Sequence, residues 1–265
     1  MKQGRNFQIA VVTGASSGMG RETVIQLADR FACLDEIWVL ARRKDRLFLL
    51  ERQVPVKLRI FGADIADKKE LADFERTLKE VSPDIRFLVN AAGYGKLGLS
   101  GIIDRKHETG MVDVNCKSLV YMTSLCLPYL AEGGRILQFA SAAAFVPQPG
   151  FAVYAASKAF VLSYSRALNK ELRPRRIAVT AVCPGPVKTE FFQVMEEEGG
   201  KKPYPIYKRL FMAKPEKVVK KAIEDSVLGK DISVYGIGMK GLGLMCKALP
   251  QQWILSLMEV LKRGE

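Results

Sequence analysis

At 265 residues, 48% hydrophobic and 26% charged, the chain can bury its apolar surface without disulfide or metal staples; 22 glycines and 12 prolines exclude collagen-like and disordered classes. Its single histidine, His107, rules out an imidazole metal cluster, and no metal site is expected. The net charge of +13 attracts phosphorylated cofactors, acidic proteins or anionic surfaces, but none of the basic patches at 42–59, 166–176 and 201–221 is an uninterrupted basic run with interleaved aromatics, so no nucleic-acid partner is expected.

Taken in chain order, short β-rich apolar runs alternate with helix-patterned segments. Strands are predicted at 7–12, 36–41, 56–62, 85–90, 135–140, 177–183 and 232–235, with helices at 20–31, 68–80, 118–130, 154–172 and 216–228. Continuous apolar strands separated by helices imply an α/β fold, a doubly wound parallel sheet of about seven strands covered on both faces. The absence of linkers and repeats makes residues 1–265 a single domain. Two segments break the pattern: a Pro/Gly-punctuated stretch at about 191–215, expected to be a substrate-binding lid, and a C-terminal extension at about 236–265 with an amphipathic helix. The longest uncharged apolar run, 118–131, falls short of the ~20 residues a bilayer span needs. Five cysteines (Cys33, Cys116, Cys126, Cys183, Cys246) without a C-x-x-C pair suit reduced, mostly buried thiols, so a soluble cytoplasmic protein is expected.

Three patterns carry chemistry. The first strand runs into Gly14-Ala15-Ser16-Ser17-Gly18-Met19-Gly20 and a helix follows, as a turn that cradles a pyrophosphate at a helix N-terminus requires. The second strand ends Ala41-Arg42-Arg43-Lys44, with no carboxylate for a ribose 2′-hydroxyl but guanidinium groups suited to a 2′-phosphate. NADP(H) is therefore the expected cofactor. Asp64 and Ile65, after the third strand, are placed for the adenine; an Asp that merely caps a helix would look the same. Finally, Tyr154-x-x-x-Lys158 sets a phenol and an amine on one helical face, where an ammonium would lower the phenol's pKa, and Ser141 lies upstream at the end of the fifth strand. A second pair at the same spacing, Tyr204 and Lys208, is flanked by Pro203 and Pro205 and cannot sit on a regular helix.

With Asn90-Ala91-Ala92-Gly93, Asn115 and Pro184-Gly185-Pro186-Val187-Lys188-Thr189 in order, the chain over residues 7–190 resembles the short-chain dehydrogenase/reductase family, a Rossmann-type fold. The resemblance implies Tyr154 as general acid and base, Lys158 lowering its pKa and bonding the nicotinamide ribose, and Ser141 hydrogen-bonding the substrate oxygen. It implies that Asn115 holds a water linking Lys158 to solvent, that Asn90, Ala91 and Gly93 support the sheet beside the cofactor, and that Pro184, Gly185, Val187 and Thr189 line the nicotinamide.

Beyond these motifs, Phe145, Phe151, Phe191, Phe192 and Met195 are the substrate-pocket candidates. Their apolar, aromatic character suits a bulky apolar carbonyl or alcohol, a hydroxysteroid or bile acid within this family; the same residues could equally pack the lid shut. The alternatives are a 3-oxoacyl-(acyl carrier protein) reductase, whose acidic partner the basic patches would welcome, and a non-catalytic NADP(H)-binding scaffold or sensor. A homodimer or homotetramer without integral membrane association is expected.

Overall fold

The computed structural model describes residues 6–191 and 212–256. Seven parallel strands form one sheet: β1 (Gln8–Thr13), β2 (Glu36–Ala41), β3 (Lys57–Gly62), β4 (Asp84–Asn90), β5 (Leu130–Phe139), β6 (Ala178–Val182) and β7 (Ile232–Ser233), in the order β3-β2-β1-β4-β5-β6-β7. Around it lie α1 (Gly18–Arg30), α2 (Lys44–Glu51), α3 (Ala72–Val81), α4 (Arg105–Val112), α5 (Leu119–Cys126), α6 (Ala152–Glu171), α7 (Pro215–Val227) and α8 (Ile237–Ala248).

Alternate residues of each central strand feed two separate cores. Ala10 and Val12 of β1 join Val24, Leu27, Val219 and Ile223 of α1 and α7, whereas Ile9 and Val11 join Phe74, Met122 and Leu168 of α3, α5 and α6. A strand buried on both faces has no polar side to expose, which is why these strands read as unbroken apolar runs. Connections from β1 run outward both ways, to β2 on one side and, further along the chain, to β4 on the other. The order reverses between β1 and β4, and in open α/β sheets that reversal opens a crevice at the strands' C-terminal ends.

The expected sheet is present, and β2 spans 36–41 as predicted. Several boundaries differ, each for a local reason. The fifth strand begins at Leu130, not 135: Leu130 pairs with Ile85 across a register shift, so Gly133 and Gly134 sit within an irregular strand instead of a turn. The third helix starts at Ala72, not 68, because the Asp67 carboxylate accepts from Lys69 N at 2.8 Å and closes a local turn. Residues 235 and 183 fall outside β7 and β6. Helices α2 and α4 were not foreseen. In α2 only Leu47 and Leu50 are buried, too sparse an apolar stripe to register; α4 is capped by Asp104, whose side chain accepts from Lys106 N at 2.9 Å. The helix expected at 118–130 is shorter. A π-helical turn, Asp113–Ser118, joins α4 to α5, and a 3-10 turn containing Pro128 ends it at Leu127–Tyr129.

Four of the five cysteines are buried and Cys33 is exposed. No helix among the described residues is long and apolar enough to cross a membrane.

Candidate active site

The crevice is built at the C-terminal ends of strands β1 to β6. Between β1 and α1 the backbone turns through Gly14 at φ +68°, a left-handed conformation that favours glycine, and a Cβ there would lie 2.6 Å from Ala92 N. The glycine turn is thereby pressed against the segment after β4. At the N-terminus of α1, the Ser17 side chain makes no capping bond and the first turn has no acidic residue. The helix thus presents its N–H donors and positive dipole end to the crevice, a fit for a pyrophosphate. Met19 and Ile65, both expected at the cofactor, have side chains that pack against the two cores on opposite faces of the sheet, Met19 only partly buried.

At the tip of β2, Arg42 and Arg43 diverge. Arg42 is largely exposed and faces Asp64, with Nη1 3.8 Å from Oδ2. Asp64 also closes a turn, its Oδ1 accepting from Ala66 N at 2.9 Å. Arg43 folds back onto the glycine turn, donating from Nη2 to Ser17 Oγ at 2.7 Å and to Ser16 Oγ at 3.3 Å. It also serves as the N-cap position of α2 with no side-chain cap, so the cations oppose the helix dipole as the sequence implied.

The acid–base residues meet at the other end. Tyr154, in the first turn of α6, has its phenol beside the Ser141 hydroxyl; Ser141 follows β5 and its Oγ accepts from Ala143 N at 3.1 Å. One turn further along α6, Lys158 Nζ donates to Phe139 O at 2.8 Å and lies 5.6 Å from the centre of the Tyr154 ring. Both residues are buried, at 7% and 5% exposure. Burial pushes the Tyr154 phenol up to about 12, against a smaller lowering by the Ser141 hydrogen bond. It pushes Lys158 down to about 8, while the nearby Cys116 and Cys183 thiols raise it. The expected lowering of the phenol by its lysine is therefore reversed here: desolvation penalises the phenolate more than the neighbouring groups favour it.

Asn115 owes its position to the π-helical turn. Its Oδ1 accepts from Tyr94 N at 3.0 Å, and Nδ2 donates to Tyr94 O at 2.9 Å and to Ser157 Oγ at 3.0 Å. Ser157 in turn donates to Tyr154 O at 2.7 Å, linking the π-turn to α6. Gly93 lies beside both groups: a Cβ there would be 2.9 Å from Asn115 Oδ1 and 3.2 Å from Lys158 Nζ. Asn90 donates to Thr123 Oγ1 and Gln138 Oε1, each at 3.0 Å, and so ties β4 to α5 and β5. Ala91 packs on the core under α1.

The segment after β6 crosses the mouth. Pro184 O accepts from Ala142 N at 2.8 Å, Gly185 lies against Met239 of α8, and the Thr189 side chain packs at 3.4 Å from where a Gly18 Cβ would be. Val187 bridges to Ala213, which pins together the two ends of the segment expected to form a lid. Of the substrate-pocket candidates, Phe151 stacks on the Tyr154 ring at 4.2 Å and Phe191 approaches it at 5.5 Å. Phe145 is not brought to Tyr154; it packs towards Val146, Leu242 and Cys246 beneath α8. Phe192 and Met195, like Tyr204 and Lys208, lie outside the described residues.

Sequence reasoning missed Ser157, Arg46 and Glu190. Glu190 accepts from Arg43 and Arg46 of the β2–α2 segment, a contact that spans more than 140 residues and leaves no local signal.

The parallel sheet, the glycine turn at its reversal point and the Ser–Tyr–Lys cluster at the strand ends define a nucleotide-binding α/β oxidoreductase. The chain belongs to the short-chain dehydrogenase family, whose model matches residues 8–199. It is 36% identical over 192 residues to sulfoacetaldehyde reductase 2 of Chromohalobacter salexigens, covering 69% of this chain and 74% of that protein. Its fold is similar to a short-chain dehydrogenase from Sphingobium yanoikuyae in complex with NADPH (TM-score 0.74, 24% identity, 97% of this chain and 94% of that one). It is similar also to a short-chain dehydrogenase/reductase from Burkholderia phymatum in complex with NAD (TM-score 0.74, 19% identity, 90% and 92%). The family binds a nicotinamide dinucleotide, and these neighbours include both the phosphorylated and the unphosphorylated form.

Proposed function

We propose that the protein is an NADP(H)-dependent oxidoreductase interconverting a ketone and a secondary alcohol on a bulky apolar substrate, hydroxysteroids and bile acids being the first class to try. The observation that carries this reading is the contact of Ser141, Tyr154 and Lys158 beside the glycine turn. The dinucleotide, when bound, supplies the hydride. Gly14, Ser16, Ser17, Gly18 and Gly20 would hold its pyrophosphate, Arg42 and Arg43 its 2′-phosphate, and Pro184, Gly185, Val187 and Thr189 its carboxamide end.

Tyr154 Oη holds the proton that passes to the carbonyl oxygen. A phenol pushed up to about 12 keeps that proton at neutral pH, ready for reduction. The Lys158 ammonium, fixed by Phe139 O, stabilises the phenolate left behind, and at about 8 most of it is charged at pH 7. Ser141 Oγ donates to the substrate oxygen as negative charge develops. Asn115 spends both amide hydrogens and one Oδ1 lone pair on Tyr94 and Ser157; its second lone pair is the one available to a proton-relay water. Phe151 and Phe191 wall the Tyr154 ring with apolar surface, which supports a bulky apolar substrate. Apolar Val112 and Phe160 are exposed on α4 and α6, surface that a homodimer or homotetramer would cover.

One observation favours a second reading, a carbonyl substrate with an anionic group. Lys96 is buried at 7% exposure, one residue from Gly95, whose Cβ position would lie 2.8 Å from the Tyr154 ring, and the relative named above is a sulfoacetaldehyde reductase. Steady-state NADPH oxidation with a steroid ketone, an acetoacetyl thioester and a sulfonated aldehyde separates these readings. The steroid ketone is expected to give the highest kcat/KM. Preference for the sulfonated aldehyde transfers the assignment to the second reading, and NADPH binding without turnover of any carbonyl leaves a non-catalytic binder.

A further inference from the structure

Glu190 follows Thr189 directly and reaches back across the mouth of the crevice. Its Oε2 accepts from Arg43 Nη1 at 2.9 Å, and both its oxygens accept from Arg46 Nη1, at 2.6 and 2.7 Å. Arg43 meanwhile turns Nε and Nη2 towards the Ser16 and Ser17 hydroxyls at 2.7 to 3.4 Å. One guanidinium is thus divided between the glycine turn and a carboxylate from the opposite lip. Ser16, Ser17, Arg46 and Glu190, with Gly18, Lys188 and Thr189, border one cavity of about 460 Å3.

We propose that Glu190 is an internal anion that competes with the cofactor's 2′-phosphate for Arg43, and so sets how tightly NADP(H) binds and how strongly it is preferred over NAD(H). The proposal rests on the reading of Arg42 and Arg43 as the phosphate clamp. A 2′-phosphate brings up to two negative charges to donors of which one side is already neutralised. It must either displace the carboxylate from Arg43 or accept its repulsion; both weaken binding relative to an enzyme with a neutral side chain there. Displacement is reversible because the pair is a wet one, with Arg43 and Glu190 side chains 42% and 41% exposed, and exposed ion pairs are individually weak. Arg46 keeps the competitor in place: its hydrogen bond, ahead of that from Arg43, holds the Glu190 carboxyl below the usual carboxylate range, so the charge persists at mildly acidic pH. A ligand without the 2′-phosphate makes no claim on Arg43 and leaves the clasp intact.

Adenosine 2′,5′-bisphosphate and adenosine 5′-monophosphate isolate this contribution, and calorimetric titration of wild type, Glu190→Gln and Glu190→Ala reads it. Both variants are expected to bind the bisphosphate about five-fold more tightly than wild type does, with the monophosphate unchanged, and the gain is expected to shrink between about 0.05 and 0.5 M salt as screening removes the charge effect. Unchanged or weaker bisphosphate binding in both variants overturns the competition. Equal loosening of both ligands would make Glu190 a structural brace instead and overturns it as well. If wild type itself shows no preference for the bisphosphate, the clamp reading falls and takes this proposal with it; a wild-type preference without a gain in the variants removes the Glu190 proposal alone.

Discussion

The two ends of the crevice handle charge in opposite ways. Around Tyr154 and Lys158 the site is dry, and burial, against smaller opposing effects of neighbouring groups, moves the phenol up to about 12 and the amine down to about 8. At the β2 tip, Arg42, Arg43 and Glu190 are wet, between about two-fifths and four-fifths exposed, and their ion pairs form and break at little cost. The contrast assigns each end its task. A proton-transfer group benefits from a surrounding that resists casual ionisation, whereas a phosphate clamp benefits from charges that remain hydrated until the ligand arrives.

The strongest test of the dry end is Tyr154→Phe. The ring's contacts with Phe151 and Phe191 survive the loss of one oxygen, so cofactor affinity is expected to persist while kcat falls about 1,000-fold, within the usual range for a general acid. Turnover within tenfold of wild type would break the assignment.

Lys158→Met examines the same end through stability. An amine at about 8 when folded, against an ordinary 10.5, destabilises the fold while both states are protonated. Between those two values the unfolded chain binds the extra proton, so wild-type stability is expected to rise with pH by about 1–3 kcal/mol between pH 8 and 10.5 relative to the variant. Denaturant titrations across that window measure the difference, and parallel curves for the two proteins would show that Lys158 is not desolvated as described.

At the wet end, Arg42→Ala is expected to weaken NADPH about tenfold and NADH little, since one charge-assisted phosphate contact is lost. Fluorescence titration of both dinucleotides checks this, and equal weakening would separate Arg42 from the phosphate and erase the proposed division of labour.

Much of the fold was legible because parallel strands buried on both faces write long apolar runs, as in residues 36–41, and because a glycine turn between strand and helix has few substitutes. Tyr154 and Lys158 were legible for a related reason: i, i+4 spacing already places two side chains on one helical face. Features that rest on distant partners were not. The π-turn that aims Asn115 depends on its bonds to Tyr94 and Ser157, and β5 starts early because Leu130 finds Ile85. Phe145 looked like its neighbour Phe151 yet packs under α8, since only the folded chain says which aromatic faces the crevice.

The sequence by itself determined the layered α/β architecture, the glycine turn and the presence of a phenol–amine pair, because each follows from local periodicity or from the steric freedom of one residue type. Only the tertiary structure decided the electrostatics: that burial outweighs the Ser141 hydrogen bond at Tyr154, and that Glu190 meets Arg43 and Arg46 across the mouth. Desolvation and long-range pairing are properties of the space between chain segments, and no stretch of residues encodes that space alone.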